Sequence, residues 1–132
     1  MAAASPARYI RFQGVEPNAR GTHPGIFALA NALAHDGLLS DADATWWRAS
    51  NDWGNANYTD PSSVDPTVFD RALHPAAASW FKGSATELVE YARGYVELVA
   101  RYGVRVEVLE RDDVGRIIYE DDVQVVAVPR SV

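Results

Sequence analysis

Val104–Val128 reads VRVEVLERDDVGRIIYEDDVQVVAV. Its three apolar or alternating runs are separated by two acidic stretches, a pattern typical of short β-strands joined by tight turns. Strands connected in this way pair in the antiparallel direction. We therefore predict strands over 104–108, 116–119 and 123–128, forming a β-hairpin or meander at the C-terminal end of the chain.

The residues before these strands predict the strongest helix of the chain. Ser84 followed by Glu87 resembles a capping box, and Gly103 is suited to the position just after a helix. Between them, large side chains recur every three or four residues, which predicts one apolar face. These are Leu88, Tyr91, Ala92, Tyr95, Leu98, Val99 and Tyr102.

The N-terminal half predicts one more strand and several helices. Residues 8–13 alternate apolar with polar side chains, so Ile10 and Phe12 should face the core. Helices are expected over 26–35 and from Ser40 through Ser50, and a short helix should carry Trp80 and Phe81. Residues 51–70 are rich in turn formers and predict a long loop.

Together these patterns predict an α+β fold, with a small antiparallel sheet (the N-terminal strand plus the C-terminal hairpin or meander) packed against three to four helices. A chain of 132 residues fits one domain. We assign residues 1–7 to a disordered tail and residues 8–132 to a single α+β domain.

Charge and composition exclude several classes of function. The formal net charge is −6, which disfavours binding to duplex nucleic acid, although one phosphate can still be bound locally. No cysteine is present, so disulfides and thiolate metal sites are excluded. The N-terminus does not resemble a signal peptide, and no apolar stretch approaches the roughly 20 residues needed to span a bilayer. We expect a soluble, cytoplasmic monomer or homodimer without membrane attachment.

The candidate binding site is the polar and aromatic stretch that includes Asn51–Asp60. Aromatic rings can stack on a planar base or a sugar, while amides and carboxylates supply hydrogen bonds. Either Arg11 or Arg48 would bind an anionic group of the ligand. The predicted ligand-binding residues are Arg11, Arg48, Asn51, Asp52, Trp53, Asn57 and Tyr58, with Trp80 as a further residue closing the pocket.

A purely structural interpretation of this stretch is also open, because tryptophans anchor cores and Asn or Asp residues cap helices and shape turns. His23, His35 and His74 lack metal-ligand spacing, so no metal site is predicted. The familiar glycine-rich nucleotide-binding and phosphate-binding motifs are missing, and no cofactor is predicted.

Arg11 on the first strand and Glu120 near the start of the last strand are similar in order to the layout of ADP-ribosyltransferase-type domains. That family holds a dinucleotide with the first residue and catalyses with the last. The serine/threonine motif of its central strand has no clear counterpart here. The resemblance implies a carboxylate-dependent enzyme, for which Glu120 or Asp52 is the candidate catalytic residue.

A third interpretation is a non-enzymatic interaction protein of the immunity or antitoxin type. Its acidic surface would meet a basic protein partner. The sequence thus leaves two partners open, a small polar molecule and a basic protein.

Overall fold

The computed structural model describes residues 7–130. Nine elements follow one another along this part of the chain: β1 (Tyr9–Gly14), α1 (Ile26–His35), α2 (Asp41–Asn57), α3 (Pro61–Val64), β2 (Ala78–Lys82), α4 (Thr86–Ala100), β3 (Val106–Arg111), β4 (Arg116–Glu120) and β5 (Gln124–Val128). The predicted α+β class is confirmed. The predicted tail lies outside the described residues, except for Ala7.

The strands form one antiparallel sheet in the order β3-β1-β2-β5-β4. β4 and β5 form a hairpin, as expected, but β3 does not pair with β4. It pairs instead with β1 along a six-residue ladder from Tyr9↔Arg111 to Gly14↔Val106. The β3 and β4 segments therefore lie at opposite edges of the sheet, so the prediction that they are neighbours is wrong.

The short link between β3 and β4 shows that the five-stranded sheet is not flat. Four residues, 112–115, connect the two edge strands. A flat five-stranded sheet would separate its edges by roughly 19 Å, more than so short a link can span diagonally. Within the link, Asp112 accepts a hydrogen bond from the Arg8 amide and Asp113 binds Arg130. The start of β1 and the end of β5 therefore meet at the same link.

Two predictions about which segments are helical are wrong. Trp80 and Phe81 lie in β2, not in a helix, because the segment pairs with β1 on one side and with β5 on the other. The predicted loop at 51–70 is helical at its start, since α2 continues to Asn57. Tertiary packing overrides the low helix propensity of its Asn and Gly residues.

The core lies between the sheet and the helices. α4 contributes the largest buried face, and the side chains of Tyr95, Leu98 and Val99 are fully buried. The capping box predicted at Ser84 is absent, because the helix begins after Ala85 without a side-chain cap. From the sheet, Phe12 and Phe81 contact each other with ring centroids 6.1 Å apart. The core face predicted for α4 is thus confirmed, and its N-cap is corrected by one residue, from Ser84 to Ala85.

Candidate functional site

A cleft of about 550 Å³ opens between the sheet, the start of α1 and the end of α2. A cleft of this size is in the range that holds small ligands. One wall comes from β1, β2 and the first turn of α1. The other comes from α2 and the residues that follow it, 58–61.

The cleft forms where the sheet splits. β1 and β2 pair only at Tyr9↔Lys82 and Ile10↔Phe81. Beyond this point β1 has a different neighbour, since Gln13 forms an isolated bridge with Gly25. The β1–β2 ladder therefore ends after two residue pairs, and the strands diverge.

Arg11 bridges the split. Its Nη1 donates to the carbonyl oxygen of Ser79 on β2, and its Nη2 donates to that of His23, both at 2.9 Å. Its Nε donates to Gln13 Oε1 at 2.9 Å. The guanidinium thus satisfies a β2 carbonyl that a regular ladder would pair with a backbone amide. Of its five N–H groups, two make no hydrogen bond to a described residue.

The Arg11 guanidinium contacts no carboxylate of a described residue, and Asp60, which shares its cleft, accepts hydrogen bonds from Ser62 at the N-cap of α3. Within residues 7–130 it forms no salt bridge, whereas five other cationic side chains do. Burial lowers the pKa of the guanidinium, which is the direction expected when a cation loses water without gaining a carboxylate. Arg11 lines the cleft, so an anion entering the cleft would supply the missing counter-charge.

The first turn of α1 faces the same space. Ile26, Phe27 and Ala28 line the cleft, and the Gly25 N-cap provides no side-chain hydrogen bond to their amides. A Cβ at Gly25 would lie 3.3 Å from Arg11 Nη1, so the absent side chain lets the guanidinium approach the helix. Uncapped amides at a helix N-terminus favour negative charge, which adds to the effect of Arg11.

Asn31 of α1 and Asn51 of α2 are hydrogen-bonded to each other in the lining of the cleft. Asn31 Oδ1 accepts from Trp47 Nε1 at 2.9 Å and from Asn51 Nδ2 at 3.3 Å. An indole nitrogen can only donate, so Asn31 must turn its oxygen to Trp47. Its amide nitrogen then makes no hydrogen bond to a described residue and remains available at the cleft.

Two tyrosines of α4 hold Asn51 and the residue before it in place. Tyr95 donates its hydroxyl proton to Asn51 Oδ1 at 2.5 Å, and Tyr91 donates to the carbonyl oxygen of Ser50 at 2.6 Å. Burial is the main cause that raises the pKa of both phenols. Asn51 is therefore held in one orientation by a network that stays protonated at neutral pH.

The other lining residues of the cleft include both aromatic and polar groups. Tyr58 and the half-exposed Phe69 offer ring faces, and Asp60 contributes a carboxylate at the N-cap of α3. Gln124 is the one buried polar residue of the described chain, and its Nε2 donates to the Thr59 carbonyl at 2.7 Å. The cleft thus presents donors, ring faces and a carboxylate together.

The structure brings three of the predicted ligand-binding residues into the cleft: Arg11, Asn51 and Tyr58. The others lie elsewhere. Arg48 is exposed, with its guanidinium 5.3 Å from the Trp47 ring centroid. Asp52 is exposed on α2, and Asn57 Nδ2 donates to the Trp53 carbonyl at 2.8 Å.

Trp53, Trp80 and Glu120 do not line the cleft either. Trp53 lies in a separate groove against α4, and Trp80 lies within β2. The Glu120 carboxylate is 2.6 Å from Lys82 Nζ at the end of the edge strand β4. It therefore sits away from the space in which a ligand would bind.

Sequence reasoning missed Asn31 and Gln124. Both carry a recognisable signal, because each is a single amide within a long apolar run, IFALANALA in α1 and VQVVAV in β5. A polar group buried among apolar neighbours must find a hydrogen-bond partner, so such positions are often special.

Over residues 7–130, no group of three or more His, Asp or Glu side chains is placed to hold a metal ion. The same residues form no helix that is both long and apolar enough to cross a membrane. No family model, curated protein or solved structure matches this chain.

Proposed function

We propose that this domain binds a small polar ligand, nucleotide-like or sugar-like, that carries an anionic group. The observation that supports the proposal most strongly is Arg11, a cleft-lining guanidinium with two unused N–H groups and no salt bridge to any described carboxylate. Burying a charge without a partner is costly, and a bound phosphate or carboxylate would compensate it with charge-assisted hydrogen bonds.

The other walls fit the rest of such a ligand. The free amide nitrogen of Asn31 can donate to a ring or hydroxyl oxygen, and the Asp60 carboxylate can accept from sugar hydroxyls. Tyr58 and Phe69 supply apolar ring faces at the same cleft. Convergent donors on one wall and aromatic surface on the other are typical of sites for phosphorylated nucleosides or sugars.

The test is a thermal-shift comparison of matched ligand pairs: a nucleoside monophosphate with its nucleoside, and a sugar phosphate with its sugar. A ligand at about one hundred times its Kd stabilises the folded state by ~2.7 kcal/mol. For a domain of this size that corresponds to a rise in Tm on the order of 10 °C. We expect the phosphorylated member of a pair to give the larger shift.

A matched pair of variants locates the binding. Asn55→Trp fills the cleft from an exposed position on α2, whereas Ala56→Trp places the same side chain at the adjacent exposed position outside the cleft. Asn55→Trp should abolish the shift and Ala56→Trp should retain it. A complete absence of shifts, or a shift that survives Asn55→Trp, would overturn the proposal.

A further inference from the structure

A second surface lies on the outer side of α2 and α4. Trp46 and Trp53 are 38% and 43% exposed, and both line a shallow groove with Tyr91. Indole rings are among the side chains most enriched at energetically important positions of interfaces. Two exposed tryptophans in a single groove are therefore typical of a docking surface, whereas apolar residues exposed singly need no such explanation.

The aromatic rings of this groove are already held in place. The Trp53 ring centroid lies 5.1 Å from that of Tyr91, and the Trp46 centroid lies 5.1 Å from that of Tyr95. Trp46 also rests on Gly94, where a Cβ would lie 3.1 Å from its ring. Packing of this kind limits the rotamers of both indoles, so a partner would lose little side-chain entropy on binding them.

The charge of the groove is negative. Glu87 and Glu90 are its charged lining residues, and no described basic residue lines it. Arg93 approaches Glu90 at 3.5 Å, but both side chains are more than half exposed, so this pair is easily replaced. Indole faces beside carboxylates are suited to a guanidinium, which stacks on the ring while it donates hydrogen bonds to the carboxylate oxygens.

We propose that this groove docks an arginine side chain presented by a basic protein partner. The site is distinct from the cleft, since the two share only Tyr91 among their lining residues. Their charged lining residues also differ: the cleft has one guanidinium and one carboxylate, from Arg11 and Asp60, whereas the groove has carboxylates alone. The net charge of −6 favours approach of a basic partner.

The test uses the full chain and a short synthetic peptide with two arginines, compared with the same peptide in which citrulline replaces each arginine. Citrulline keeps the shape of the side chain but removes its charge. In ¹H–¹⁵N spectra, the arginine peptide should shift the indole N–H signals of Trp46 and Trp53. The signal of Trp47, whose Nε1 donates to Asn31, should stay in place.

Two double variants, each removing two negative charges, distinguish binding at the groove from attraction to the overall negative charge of the protein. Glu87→Gln with Glu90→Gln should weaken binding of the arginine peptide by roughly threefold or more. Glu97→Gln with Glu110→Gln removes the same charge from exposed positions outside the groove and should leave the affinity unchanged. Equal weakening by both pairs, equal binding of the citrulline peptide, or unshifted indole signals would each overturn the proposal.

Discussion

Arg11 links the fold to the candidate site at the scale of a single residue. Its side chain satisfies Ser79 of β2 and His23 before α1, so it replaces hydrogen bonds that a continuous β1–β2 ladder would provide. The same side chain keeps two N–H groups free at the cleft. The residue that holds the sheet together at its split is thus also the cation that the proposed anionic ligand would contact.

Tyr95 gives a pH-dependent prediction at the same scale. Its side chain is fully buried, and burial raises its pKa above the value of 10.0 expected when the chain is unfolded. Above about pH 10 the unfolded state therefore releases a proton that the folded state retains. The free energy of unfolding should be insensitive to this group below about pH 10 and should fall as the pH rises further.

Tyr95→Phe should lower the free energy of unfolding by ~1 kcal/mol near neutral pH, because the hydrogen bond to Asn51 is lost. It should also make the decline at alkaline pH less steep, since one of the buried phenols with a raised pKa is removed. Urea denaturation between about pH 8 and pH 11 measures both effects. If the free energy of unfolding fell equally steeply with pH in the original protein and in Tyr95→Phe, the assignment to Tyr95 would be wrong.

At the scale of elements, the end of α2 depends on a close contact with α4. Gly54 lies inside the helix, where glycine is normally unfavourable. A Cβ at this position would lie 2.3 Å from the Tyr91 hydroxyl oxygen. The glycine is therefore required by packing, and it explains why α2 can continue past Ser50 against α4.

Gly54→Ala should destabilise the protein by ~1–3 kcal/mol, even though alanine is the better helix former, because the new methyl group displaces Tyr91. In a Tyr91→Phe background the cost should be smaller, since the nearest clashing atom is gone. Chemical denaturation of the two single variants and the double variant measures this coupling.

Ala56→Gly calibrates the experiment at an exposed position of the same helix. It should cost ~1 kcal/mol through helix propensity alone. If Gly54→Ala instead stabilised the protein by that amount, or if its cost were the same with and without the Tyr91 hydroxyl, the proposed contact would be wrong.

At the scale of the whole molecule, stability should be concentrated in the centre of the sheet. β5 is paired on both sides, by β2 and β4, and Val125 and Val126 are fully buried. The segment 65–77 contains turns and no helix or strand; Phe69 and Leu73 are exposed, and Val68 is its one fully buried side chain. Local opening should therefore expose this segment without disturbing the sheet.

Native-state hydrogen exchange tests this distribution. Amides of Val125 and Val126 should exchange only through global unfolding, more than roughly a thousandfold slower than most amides of residues 67–74. The known turn hydrogen bonds, such as His74 N to the Asp70 carbonyl at 2.7 Å, should give individual amides intermediate protection. Uniform protection across both regions would show that 65–77 unfolds only with the core.

The fold class and most of the elements could be predicted from the amino-acid sequence, because they follow from local periodicity. Alternating side chains identified β1 and the C-terminal strands, and the apolar stripe on α4 identified the main buried helix. Within the site, Asn51 and Tyr58 could be singled out because they belong to a stretch rich in amides and aromatic rings, and Arg11 because a basic residue on the first strand could hold an anionic group.

The strand order, the place of β2 and the composition of the cleft became clear from the three-dimensional structure alone. Pairing of β3 with β1, and of β2 with β5, depends on contacts between residues far apart in the sequence, which periodicity does not encode. The cleft likewise joins Arg11 to Asn31 and Gln124 because the β1–β2 ladder ends early and α2 runs longer than its propensities indicate. Local patterns specify which face of an element is buried, whereas long-range packing specifies which faces meet.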